Sequence, residues 1–297
     1  MKLRSLLALA LLAGLTSSLF TGCTSTESAK APKPLRVLVV AGGCCHDYAN
    51  QKEILKKGIE ARLNATVEVA YVDIKAKDFK GKATQPVFEI YKNADWAKNF
   101  DVVVHDECAA DITDQAYVAN IVNAHRNGLP AVNLHCAMHS YRWGKFQEPV
   151  KAGADNASWY EMLGLQSTGH GPQQPIAIAF TDKENPIVKG LADWTTINEE
   201  LYNNVQVLTA KGLANGTQKI PEKKDKAGKV TPAKEVTSIV AWTNEFGPKK
   251  TRIFSTTIGH NNATVEDARY LDLVTRGLLW SVGKLEADGK PSAGFGK

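Results

Sequence analysis

The chain carries seven histidines, and most of them stand at the ends of apolar runs. His46 follows the run Leu35 to Ala41 across a Gly-Gly-Cys-Cys link. His105 closes Asp101-Val-Val-Val-His105, with Asp106 and Glu107 next to it. His135 closes Ala131-Val-Asn-Leu-His135, and His139 stands four residues on. His170 lies in Gly169-His170-Gly171, and His260 in Gly259-His260-Asn261 after a further β-type run. Only His125 falls inside a stretch with helical periodicity. Imidazole changes charge near neutral pH and ligates divalent metals such as zinc. Next to carboxylates it suits proton transfer or metal binding. One strand-end histidine is usually just hydrogen-bonded into a fold; several at once point to a shared rim.

Other motifs exclude more than they establish. His135 and His139 have the spacing of an HExxH pair, but position 136 is Cys rather than Glu, so that motif is absent. Cys136 follows an expected strand, yet His135 and Met138 are too bulky for a nucleophile elbow, and a packed thiol is the better reading. Gly42-Gly43 is not followed by a GxGxxG or Walker pattern, so no nucleotide is expected; the glycines let the chain turn and present His46 and Asp47. No CxxC occurs, and adjacent Cys44 and Cys45 are not expected to bond to each other. With Cys108 and Cys136 they are read as buried thiols.

Alternating elements must position these groups. Leu35–Ala41, Asp101–His105 and Ala131–His135 read as strands buried on both faces, and Thr66–Val72 as a further strand. Between them, 51–63, 87–97 and 113–126 read as helices, the last capped by Thr113. That alternation implies right-handed βαβ units and a parallel sheet. Ligands then bind beyond the carboxyl ends of the strands, where His46, His105 and His135 would meet. Later runs, 176–180, 205–210, 236–242 and 252–258, imply a mixed extension, closed by a helix over 265–282. The fold expected is α/β, a flavodoxin-like three-layer sandwich with a mostly parallel sheet and a mixed C-terminal extension.

Net charge is +5, with 43% hydrophobic residues. Residues 1–22 contribute +2 and the lysine-rich stretch 211–234, read as a solvated loop, contributes +5, so the rest sits at −2. A near-neutral body has no basic stripe for nucleic acid. Lys2 and Arg4 before the apolar run Leu6–Leu15, then Leu19-Phe20-Thr21-Gly22-Cys23, resemble a bacterial lipoprotein signal. The expected division is a signal peptide over 1–22, lipidation at Cys23, a tether over 23–34, one domain over 35–283 and a disordered tail over 284–297. That places the protein in the bacterial cell envelope, lipid-anchored to the membrane and facing the periplasm or exterior. Assembly with further copies of the chain is left open.

Taken together the motifs resemble the ThuA-like (trehalose-utilisation) family. The residues that carry the resemblance are Gly42-Gly43 with His46-Asp47-Tyr48, Asp101–Glu107, Leu134–Tyr141, Gly169-His170-Gly171, Asn185-Pro-Ile187, Asn198–Tyr202, Ile258-Gly259-His260 and Gly277–Trp280. The double Cys44-Cys45 before His46 departs from the more usual Gly-Gly-His-Asp. The resemblance implies a fold similar to class I glutamine amidotransferases but no amidotransferase activity, because Gly-x-Cys-x-Gly is missing. It also implies a role in disaccharide catabolism, on disaccharides or 3-keto glycosides made by partner dehydrogenases.

Two functions follow as expectations. The first is a hydrolase, lyase or isomerase. His105, Glu107, His135, His170 and His260 would do its chemistry, with a divalent metal such as zinc on His46, His135 and His139. Asp47, Tyr48, Tyr141, Glu200 and Tyr202 would bind the substrate, and Trp143 or Trp159 would stack on a sugar face. The alternative is a non-catalytic, lipid-anchored carbohydrate-binding protein.

Overall fold

The structure, a computed structural model, describes residues 31–297. The expected signal segment, Cys23 and most of the tether lie outside the described residues. Among the described residues, no helix is long and apolar enough to cross a membrane.

β1 (Leu35–Gly43) alternates Val37, Val39 and Ala41 with Leu38 and Val40, and both sets are buried in separate clusters on opposite faces of the sheet. That is why the run is apolar without interruption. It pairs in parallel with β2 (Ala65–Val72) and β3 (Val102–Cys108). β3 pairs in parallel with β4 (Ala131–Leu134). Beyond β4 come β5 (His170–Phe180), β6 (Trp194–Tyr202), β7 (Lys211–Ile220), β8 (Lys234–Phe246) and β9 (Thr251–Thr256). The nine strands form one sheet in the order β2-β1-β3-β4-β9-β8-β7-β5-β6. β9 is parallel to β4, and every pairing after it is antiparallel. The expected parallel half and mixed extension are both present.

Helices cover the two faces. α1 (Tyr48–Arg62) and α5 (Ala268–Ser281) send Leu55, Ile59, Val274 and Leu278 into one cluster. α2 (Gln115–Arg126) and α3 (Ser158–Leu163) send Ile121, Val122, Trp159 and Met162 into the other. The order β2-β1-β3-β4 puts connections of opposite sense on either side of β1, and the crevice at its carboxyl end is where ligands bind in such sheets.

Several expectations need correction. Residues 87–97 form two single 3₁₀ turns, 89–92 and 96–99, rather than a helix. Asp114, not Thr113, caps α2, accepting from the amides of Ala116 and Tyr117. The closing helix is broken into α4 (Asn262–Val265) and α5, because Asp267 turns back to accept from the amide of Arg269 and restarts the chain. The expected strand at 205–210 is only a two-residue bridge, Gln206–Val207. The lysine-rich stretch is mostly sheet: β7, a short hairpin and the start of β8 run through it, their lysines exposed. The tail is docked rather than disordered. Phe295 packs on the core, its carbonyl accepts from the amide of Asn64, and the amide of Lys297 donates to Arg62.

Gly43 sets how closely β1 approaches β3. Its φ is +108°, and a Cβ there would lie 2.2 Å from the carbonyl oxygen of Cys108. Neither the dihedral nor the contact tolerates a side chain. Gly43→Ala is expected to destabilise the fold by more than about 2 kcal/mol, read as a lower denaturation midpoint in urea. An unchanged midpoint would contradict this packing.

Candidate active site

The carboxyl ends of β1, β3 and β4 open into a cavity of about 690 Å³, walled on the far side by β5, β6 and the turn after β9. His46, His139, His170, Glu200, Tyr202 and His260 line it. A second concavity of about 480 Å³ adjoins it and shares Cys45, His46 and His260.

His135 sits just below the floor. It follows β4 directly with φ at +39°, a left-handed conformation uncommon outside glycine. Its Nδ1 donates to the carbonyl of Thr257 at 2.6 Å, which fixes the tautomer and turns Nε2 toward the cavity. There Nε2 meets the hydroxyl of Tyr202 at 3.2 Å and Oε2 of Glu200 at 3.5 Å. The same carboxylate oxygen stands 3.3 Å from Nδ1 of His260 and 3.6 Å from Nε2 of His170. Three imidazoles thus surround one carboxylate that is only 6% exposed.

Neighbouring side chains hold this arrangement. Glu199 accepts from the amides of His260 and Asn261 at 2.9 and 3.1 Å, and Gln51 donates to the carbonyls of Gly259 and His260. Asn203 Oδ1 accepts from the amides of Thr168 and Gly169, shaping the turn that presents His170.

The electrostatics follow from burial and contact. Burial alone would raise the pKa of Glu200, but His135 and His260 hold it well below the usual carboxylate range. Burial alone would lower that of His135, and Glu200, with Cys136 and Glu199, carries it up to about 9. At neutral pH the pair is an ion pair. His139 differs: burial lowers it to about 3, its Nε2 donates to Ser167, and its ring stacks on Tyr202 with centroids 4.1 Å apart.

His46, His135 and His260 bring one ligand atom each within 4.8 Å of one another. Nδ1 of His46 is buried without a hydrogen-bond partner, that of His260 faces only the Glu200 carboxylate, and Nε2 of His135 is aimed by its second-nitrogen bond to Thr257. An orphaned imidazole nitrogen and a fixed tautomer are what a three-histidine zinc site requires. The residues therefore fit a divalent metal. The expected trio is corrected in one member, since His139 is committed to Ser167 and His260 takes its place. A 3₁₀ turn over His135–His139 turns the two side chains apart, whereas an α-helix would have set them on one face.

Two of the expected catalytic residues lie elsewhere. β3 runs on to Cys108, so His105 and Glu107 are strand-interior residues, fully buried on the α2 face. His125 is neutral, its pKa lowered to about 3 by burial and by His105, and its Nδ1 donates to the carbonyl of Leu129. Its Nε2 can then only accept from Nε2 of His105, at 3.0 Å. Nδ1 of His105 is left to share a proton with Oε1 of Glu107 at 2.9 Å, where the hydroxyl of Tyr141 also donates at 3.0 Å. This is a polar network within the core, and it takes in Tyr91, Tyr141 and His125 while leaving Oε2 of Glu107 without a partner. Tyr48 is likewise buried, and Trp159 packs against Tyr141 and donates to Ala137. Neither these nor Trp143 lines the cavity. Asp47 lines the adjoining concavity, its carboxylate accepting from Asn50 and Asn262.

The residues that sequence reasoning missed are Gln173, whose amide meets Nε2 of His260 at 2.9 Å, and Arg142. Both lie within three residues of a quoted motif, which was the only available signal. Cys136 is not merely packed: it lines the cavity with Sγ 3.0 Å from Nε2 of His46. A hydrogen bond from the Cys108 thiol, opposed by burial and helped by His46, holds the Cys136 pKa well below the usual thiol value. Cys44 and Cys45 are joined in a disulfide, against expectation, with Cys45 in a left-handed conformation at φ +86°.

The two buried neutral histidines predict an acid-sensitive fold. His125 and His139 titrate near 6.5 when unfolded and near 3 when folded. Between those values the unfolded chain binds more protons, so stability falls as pH falls, by about 1.4 kcal/mol per pH unit for each histidine. Thermal melts from pH 6.5 down to 4 are expected to show a falling Tm. The fall should be shallower in His139→Gln, and parallel curves would contradict the assignment.

A family model described as ThuA, trehalose utilisation, matches residues 36–281. Among solved structures, a ThuA-like protein from Parabacteroides merdae is similar at 19% identity, covering 89% of this chain and 97% of that one with a TM-score of 0.57. A ThuA-like protein from Bacteroides uniformis is similar at 15% identity, with 89% and 97% coverage and a TM-score of 0.56. At these identities the likeness is one of fold. No curated protein matches the chain.

Proposed function

The chain belongs to the ThuA (trehalose-utilisation) family, and from that premise we propose that it is an exported, lipid-anchored enzyme of carbohydrate catabolism. It acts on a disaccharide or 3-keto glycoside as a hydrolase, lyase or isomerase. The observation that carries this reading is the single carboxylate of Glu200 within 3.3–3.6 Å of three imidazoles at a sugar-sized cavity.

Glu200, held ionised and therefore a weak base, orients His170, which takes a proton from a hydroxyl, a water or the carbon beside a keto group. His135, cationic at neutral pH, stabilises the negative charge that develops on the neighbouring oxygen. His170 is exposed at the mouth and returns that proton to solvent. Tyr202 and Gln173 orient hydroxyl groups. A divalent metal held by His46, His135 and His260 would take the place of the proton on Nε2 of His135, and would polarise a carbonyl or acidify a bound water.

The expected base Glu107 gives way to the pair of Glu200 and His170, because of the two glutamates only Glu200 reaches the cavity. A pure carbohydrate-binding role would leave the Glu200–His135 ion pair at the cavity without a use. A second catalytic reading rests on the 3.0 Å contact of Cys136 with His46, which suits a thiolate nucleophile. The deciding assay is turnover of disaccharides and 3-keto glycosides by the wild type, Glu200→Gln and Cys136→Ser. Loss confined to Glu200→Gln supports the acid–base reading; loss confined to Cys136→Ser supports the covalent one.

A further inference from the structure

The sulfur atoms of Cys44, Cys45 and Cys108 gather at the mouth of the same cavity, and neither catalytic reading uses them. The register of β1 and β3 pairs Gly43 with Cys108, so the residue after Gly43 emerges beside the end of β3. Sγ of Cys44 lies 3.5 Å from Sγ of Cys108. Cys44, Cys45 and Cys108 place their sulfurs within 4.8 Å of one another. Their burial is graded: Cys108 is 3% exposed, Cys44 is intermediate and Cys45 is exposed. A disulfide with a free thiol in contact with one sulfur, and solvent at the other, has the layout of an exchange reaction.

We propose that the Cys44–Cys45 disulfide and the Cys108 thiol form a thiol–disulfide exchange centre, which moves the bond inward to Cys44–Cys108 and frees Cys45 at the surface. The Cys108 thiol gives its proton to solvent base through the cavity it lines. Its sulfur then forms a bond to Sγ of Cys44, the Cys44–Cys45 bond breaks, and the electron pair leaves on Cys45. That thiolate takes up a proton from solvent. One disulfide and one thiol stand on each side of the step, so no external oxidant or reductant is required. The freed Cys45 is the point at which a low-molecular-weight disulfide would attach, forming a mixed disulfide with Cys45 and releasing one thiol. Burial and the neighbouring Cys136 push the Cys108 thiol pKa up, which makes the step slow rather than absent.

The test uses the full chain, purified without reductant and incubated under native conditions with N-ethylmaleimide as an irreversible trap. It is then denatured in the same reagent, digested with trypsin and mapped without reduction. Exchange is expected to accumulate a cross-link between the peptide holding Cys44 and Cys45 (37–52) and the one holding Cys108 (99–126), with the maleimide on Cys45. Cys108→Ser and Cys108→Ala are each expected to lose that label and keep Cys44–Cys45 closed, with the wild-type circular dichroism spectrum as the check on folding. Oxidised glutathione in place of maleimide is expected to leave its adduct on Cys45. An intact Cys44–Cys45 bond in the wild type after prolonged trapping overturns the proposal, as does recovery of Cys44 and Cys45 as free thiols before any treatment.

Discussion

Glu200→Gln is expected to lower kcat on the sugar substrate by about 10²–10⁴-fold while leaving the fold and sugar binding in place. The amide keeps the size and hydrogen-bonding capacity of the carboxyl group but lacks the charge that orients His170 as a base. It also removes the charge that carries the pKa of His135 up to about 9, so the imidazole loses its main reason to be cationic at neutral pH. Both halves of the acid–base pair are disabled by one substitution, which is why the effect is placed so high. Steady-state kinetics with a parallel sugar-binding titration check it. A variant that turns over at the wild-type rate would remove Glu200 from the chemistry.

Glu107→Ala is expected to have a large effect of a different kind. Oε1 of Glu107 accepts from Tyr141 and shares a proton with His105, both fully buried. Truncation leaves the buried Tyr141 hydroxyl without its partner, leaves Nδ1 of His105 with the Tyr91 hydroxyl alone, and opens a cavity. A loss of about 3–5 kcal/mol of stability is expected. Urea denaturation followed by tryptophan fluorescence measures it, since Trp159 packs on this network with its ring 5.3 Å from that of His105. Molecules that remain folded should keep their kcat, because nothing in the network touches the cavity. The contrast between Glu107 and Glu200 separates a structural carboxylate from a reactive one.

The same contrast shows what could be read in the residues. β1, β3 and β4 were legible because a strand buried on both faces must be a continuous β-branched run, and the histidines after them marked the sheet's ligand-binding end. What could not be read was where β3 stops. Asp106 and Glu107 look like loop residues, yet β3 continues through them to Cys108. Glu107 can be buried only because Tyr141 and His105 reach it, and those partners are 34 and 2 residues away. Once the strand is longer, His105 lies three residues below the rim, and period-two alternation turns it and Glu107 toward α2. Glu200 was named from its motif as a substrate-binding residue, with no strand to place it. Asn198–Tyr202 is polar enough to read as a loop motif, but it is the end of β6, paired across to His170 and Gln173 on β5. His260 joins the site through Glu199 and Gln51, contacts over 61 and 208 residues that no local pattern records.

The most direct test of the account is turnover by the wild-type chain itself, measured by product analysis on disaccharides and their 3-keto derivatives. The account predicts product formation that Glu200→Gln abolishes and Glu107→Gln retains in its folded fraction. Binding of these sugars with no product from the wild-type chain would contradict it.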